Sequence, residues 1–136
     1  MEKTIITVVE TEVYKAWCYP QRGLIHHQWL KHCKGEPFRD AMSRGLEAFE
    51  QYGCSKWLSD DQLYSGPMDS DDWTWGVVNF TEPAIKAGWK HSAMVMSPAT
   101  FAAISTTALV DFFQTRGVEA AFFADFNEAK TWIFSK

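Results

Sequence analysis

The spacing of apolar residues changes from every second position to every third or fourth at Glu36, and extended runs return three times after it. Residues 5–19 read as extended, with β-branched and aromatic residues among polar ones, and end at Pro20. PQRG (20–23) is a turn, and LIHHQWLK (24–31) a second strand, so the two pair antiparallel. From Glu36, with Pro37 in a first helical turn, Phe38, Met42, Leu46 and Phe49 form one apolar stripe beside Ala41, Gly45 and Tyr52. Gly53 supplies the left-handed stop. Strands follow at 56–60, 91–96 and 118–124, and a short helix spans 81–88 with Thr81 as its cap and Gly88 as its terminator. Ser97-Pro98 opens a further helix, which Phe101, Ile104, Ala108 and Phe112 place on the sheet and Gly117 ends. Asp125 to Glu128 has capping-box spacing, with Phe126, Ala129 and Ile133 facing inward on the last helix. Strands alternating with helices after an opening hairpin predict an α/β domain. Its sheet would be mixed, mainly parallel, of five or six strands flanked by helices.

A chain of 136 residues, 46% of them apolar, suits one domain with a real core over 1–136. The formal charge of −4 and the lack of a basic stripe argue against nucleic acid as a partner. No segment approaches the roughly 20 apolar residues that cross a bilayer, and the N-terminus has no signal-peptide pattern. Cys18, Cys33 and Cys54 show no CxxC spacing, and read as reduced thiols of a cytoplasmic protein.

Chemistry-bearing motifs are few. There is no GxSxG elbow, no GxxxxGK and no GxGxxG, so neither a catalytic residue nor a cofactor is expected. His26 and His27 are adjacent on a strand and point to opposite faces, and His32 lies too far along for a shared metal, so no metal site is expected. The densest feature is SKWLSDDQLYSGPMDSDDWTW (55–75), with five aspartates and three tryptophans. A calcium loop counted from Asp69 fails, because its sixth position is Thr74 and its twelfth Phe80. Asp69 to Asp72 instead read as the cap and acidic first turn of a helix around DDWTWGVV. Asp60 and Asp61 end a central strand, on the carboxyl rim where open α/β sheets build their sites.

Three stretches, LIHHQWLKHCKGEPFRDAMSRGLEAFEQYGCSKWLSDD (24–61), PAIKAGWKHSAMVMS (83–97) and AAFFADFNEAKTWIF (120–134), together resemble the STAS-like family. The likeness is greatest to its SpoIIAA-like branch, the anti-sigma-factor-antagonist fold. The resemblance implies a mixed sheet flanked by helices and a non-enzymatic module that binds regulatory proteins. In such members a serine in an Asp-Ser-x-Gly-like motif is reversibly phosphorylated. Here the stretch reads Asp60-Asp61-Gln62, so Asp61 would stand as a fixed negative charge at a helix N-terminus, with Ser65 a shifted counterpart. Some STAS-like relatives resemble lipid carriers.

The expected function is a regulatory or scaffolding module that binds an unidentified protein partner through the 59–76 face. Asp60, Asp61, Tyr64 and Ser65 would supply its polar groups, and Trp73 and Trp75 its contact area. The alternative is a small-molecule or lipid carrier with an apolar pocket lined by Met94, Met96 and Phe101. The edge of the N-terminal hairpin would let a second copy pair there as a homodimer.

Overall fold

The computed structural model describes residues 4–103 and 106–136. One six-stranded sheet organises the chain in sequential order: β1 (Ile6–Glu10), β2 (Tyr14–Tyr19), β3 (Leu24–Trp29), β4 (Lys56–Asp61), β5 (His91–Met96) and β6 (Glu119–Phe123). The pairs β1–β2 and β2–β3 are antiparallel, and β3 to β6 run parallel. The mixed α/β sheet expected from the sequence is the sheet observed.

It has one more strand than the element order read from the sequence, because residues 5–19 fold back on themselves. The Thr11 hydroxyl accepts the Val13 and Tyr14 N–H groups at 3.2 and 3.0 Å, and its own N–H donates to the Tyr14 carbonyl at 2.9 Å. A threonine-built turn carries neither Gly nor Pro, so the alternating run conceals it.

Strands added in chain order all step across the sheet in one direction. Right-handed crossovers then send the connecting helices to the same face. That face carries α1 (Glu36–Gln51), α2 (Ser70–Gly76), α3 (Glu82–Lys86), α4 (Pro98–Ala103) and α5 (Thr106–Gln114). Its core joins Ile25 and Trp57 of the sheet to Phe49, Phe80, Ala84 and Phe113. The opposite face takes α6 (Phe126–Phe134), whose Ala129 and Ile133 pack on Leu24, Leu58, Ala93 and Val95. Side chains therefore alternate along β4: Trp57, Ser59 and Asp61 face the helical layer, while Leu58 and Asp60 face α6.

Most helix signals hold. Asp69 caps α2 by accepting the Asp71 and Asp72 N–H groups, Ser97 accepts the Thr100 N–H, and Asp125 accepts that of Asn127. Gly53 ends α1 in the left-handed region. Thr81 does not cap a helix, because the chain is already helical there. Residues 70–86 form one helical run in which α2 passes through a wide turn at Val77–Thr81 into α3. The Glu82 N–H reaches back to the Val77 carbonyl, and Pro83, which has no N–H to offer, follows where the ordinary ladder resumes. The helix expected from Ser97 to Gly117 is described as α4 and α5, and Ile104 lies outside the described residues.

Gly45 sits in mid-α1 because the helix crosses the sheet closely there. A Cβ at this position would lie 2.7 Å from the Tyr14 hydroxyl and 3.2 Å from the Trp57 ring.

Candidate functional site

The helical layer leaves a cavity of about 350 Å³ above β3, β4 and β5, a volume typical of small-molecule sites. Its floor is His27, Trp57, Ser59, Asp61, Ser92 and Met94. Phe38 and Met42 of α1 form one wall, and Phe80, Trp89 and Phe113 another. The rim consists of Tyr64, Gly66 to Met68 and Trp73, with Met68 and Trp73 exposed.

The polar groups on this floor are ordered by one donor. The Trp57 indole N–H, which can only donate, points at His27 Nδ1 at 3.1 Å. Nδ1 is therefore the bare nitrogen, and the ring proton sits on Nε2. The Tyr14 hydroxyl, 2.9 Å from the same Nδ1, donates to it as well. Nε2–H then donates to the Ser59 hydroxyl at 2.6 Å, and Ser59 passes its own proton toward Asp61 Oδ1 at 2.8 Å. The chain runs from Trp57 to His27 to Ser59 and ends on the carboxyl group.

Burial sets the charge states. His27 is pushed down to about 3, chiefly by burial, and stays neutral. The Tyr14 phenol is pushed well above its ordinary range by burial, with the Asp61 carboxylate adding to it. Asp61 is pushed up to about 7 by burial; the Ser59 bond opposes this and the neighbouring Asp60 charge adds to it. His27 Nε2 and Asp61 Oδ1 are 3.9 Å apart, and the neutral imidazole makes no ion pair across that gap.

A serine within hydrogen-bond reach of a histidine suggests nucleophilic catalysis. The tautomer opposes it: the nitrogen facing Ser59 already holds its proton and cannot accept another. At the far end of the floor, the fully buried Ser92 hydroxyl has no hydrogen-bond partner among the described residues. Ser92 pairs in register with Trp57, so it lies about 13 Å along the strands from the Asp61 level.

The expected site residues divide. Asp61, Tyr64, Trp73, Met94 and Met96 line the cavity, whereas Phe101 does not and Thr100 lines it from the same helix. Asp60 is buried on the opposite face, where its Oδ1 accepts the Gln62 backbone and side-chain N–H groups, so it offers no surface charge. Asp61 is not at a helix N-terminus, since the next helix begins at Ser70 under its own Asp69 cap. Ser65 is exposed on the rim loop and does not line the cavity. Trp75 turns toward α1, with the Arg39 guanidinium 5.6 Å from its ring. Tyr64 donates to the Cys33 carbonyl at 2.7 Å and packs edge-on to Trp29.

Sequence reading missed His27, Ser59 and Ser92 as members of one site. The available signal was period-two alternation: polar residues on strands that share the inward face with Trp57. It also missed Asp72, which is buried, pairs with Arg39 at 2.9 Å and accepts the Gly35 N–H at 2.8 Å, fixing α2 to the start of α1. Among the described residues no group of three or more His, Cys, Asp or Glu is placed to hold a metal, and no helix is long and apolar enough to cross a membrane. Compared with protein-family models, curated proteins and solved structures, the chain gives no match.

Proposed function

We propose that this chain is a non-enzymatic binding protein for a small, mainly apolar molecule held between the sheet and its helical layer. The cavity carries this reading: its walls are aromatic and thioether groups, and its floor holds a few fixed polar groups, as ligand sites do. The Ser92 hydroxyl supports it, since a buried polar atom without a partner costs about 1–3 kcal/mol unless something bonds it. A ligand hydroxyl or carbonyl reaching that depth would offset the cost. Cys18, Cys33 and Cys54 are buried thiols, with the Cys18 and Cys54 sulfurs 4.0 Å apart, and a reducing compartment, the cytoplasm, is part of this reading.

Native mass spectrometry of freshly purified protein tests the reading. A retained mass that is lost in the cavity-filling variant Met94→Trp is the expected result. A ligand-free spectrum, together with a Met94→Trp variant that is more stable than the wild type and otherwise unchanged, would show the space to be a packing defect.

Partner binding is favoured by a separate observation: Leu63, Met68, Trp73 and Val78 are all exposed along the 59–78 segment. In this second reading, regulatory in the manner of the STAS-like resemblance, a protein covers the rim. Substituting Trp73 by Ala should then weaken capture of that protein from the native host while leaving the fold intact.

A further inference from the structure

We propose that the molecule bound in this cavity is a lipophilic monocation, an amine with a compact aromatic body whose ammonium group sits against Asp61. This rests on the reading of the cavity as a ligand site and names the class of ligand.

The argument is a census of charge. Among the residues lining the cavity, Asp61 alone has a carboxylate, and no Lys or Arg lines it. His27 is neutral for the reasons given above, and the phenols of Tyr14 and Tyr64 are both pushed up by burial. Asp60 points away on the other face of β4. Asp72 touches the adjoining smaller lobe, but its two oxygens are taken by Arg39 and the Gly35 N–H. Thr100, Leu109 and Phe113, facing the cavity from α4 and α5, carry no charge.

Each ligand class meets this arrangement differently. A fatty acid or a phosphate would set a second negative charge against Asp61 with no cation to offset it. A neutral apolar molecule would cover the carboxyl group and leave it unmatched. An ammonium supplies the missing charge and donates to the carboxylate. Among the described residues the side-chain hydrogen bond of Asp61 falls on Oδ1, from Ser59, so Oδ2 is left to the ligand. The rings of Trp29, one residue beyond the Gln28–Asp60 pair, and Tyr64 lie at this end of the cavity, and aromatic faces attract a desolvated cation. Because burial holds the Asp61 carboxyl up to about 7, the free protein is partly protonated near neutrality. An arriving ammonium would drive that proton off.

Calorimetry with three probes that share one body and differ in head group tests this: tryptamine, tryptophol and indolepropionate. Wild-type protein at neutral pH should bind tryptamine at least about tenfold more tightly than tryptophol, with indolepropionate weakest. Tryptamine binding should release protons, seen as a heat that changes with the ionisation enthalpy of the buffer. The Asp61→Asn variant should bring tryptamine to the level of tryptophol and abolish the proton release. Tryptophol binding as tightly as tryptamine in the wild type, or tryptamine binding that survives Asp61→Asn, would overturn the cation inference and leave the cavity as a ligand site. Failure of all three probes, with the wild type and Met94→Trp each showing only its own ligand-free mass, would overturn both.

Discussion

Replacing Asp61 by Asn should stabilise the protein, and more so as the pH rises. The Asp61 side chain is 26% exposed, and its carboxyl is raised from 3.8 to about 7. The folded state therefore holds a proton that the unfolded chain releases between those values. A raised folded-state value means stability that is full below pH 3.8 and declines as pH rises toward 7. Asparagine keeps an acceptor for Ser59 and has no proton to lose, so its stability lacks this slope. Between pH 5 and the folded-state value lie two pH units, each worth about 1.36 kcal/mol for one proton. The stabilisation by Asp61→Asn should thus be about 2–3 kcal/mol greater at pH 8 than at pH 5. Urea unfolding followed by tryptophan fluorescence at the two pH values measures it, and all other titrating groups cancel in the difference. An equal effect at both pH values, or a loss of stability at pH 8, would refute the claim that burial of this carboxyl is what sets its titration.

Gly45→Ala should cost about 1–3 kcal/mol by overpacking, although alanine is the better helix former, because the new methyl meets the Tyr14 hydroxyl and the Trp57 ring. Adding Tyr14→Phe should recover part of that loss in the same urea assay. Asp72→Asn should destabilise by about 2–3 kcal/mol, since it weakens charged hydrogen bonds to Arg39 and the Gly35 N–H at a fully buried site; calorimetric melting reads it. His26 and His27 are lowered by burial from 6.5 to about 4 and about 3, so the unfolded chain takes up protons that the folded one refuses. In the Asp61→Asn background, stability should therefore climb as pH rises from 4 to 6.5; a flat profile would mean that these rings are not held neutral.

The sheet was legible because its signals are local. Strand runs broken by helical stripes, with caps at Asp69, Ser97 and Asp125, need no knowledge of what packs where. The first hairpin was not, because a Thr11 turn leaves the alternation of TVVETEVY unbroken. The helical run 70–86 was read in pieces, since Thr81 and Pro83 spell a helix start and only tertiary packing shows that a wide turn carries the chain through. For the site, the sequence placed Asp60 and Asp61 at the end of β4, where the structure has them, but assigned both to one face, whereas period-two alternation sends Asp60 to the α6 side. The members that complete it come from three strands: His27, Ser59 and Ser92 are distant in sequence and meet only through the parallel register of β3, β4 and β5. A pairing register across crossover helices is not written in any one segment.

The clamp between Arg39 and Asp72 decides which part of the enclosure is stiff. With α2 bolted to the beginning of α1, that wall cannot swing outward without exposing a buried carboxylate. The loop of residues 62–69 has lighter moorings, chiefly the Tyr64 hydroxyl on Cys33 and His32 on the Pro67 carbonyl at 3.0 Å. On the proposed reading of the cavity, the loop is the side that would have to give way for a molecule to enter, and the His32 contact with Pro67 is one of those it would break.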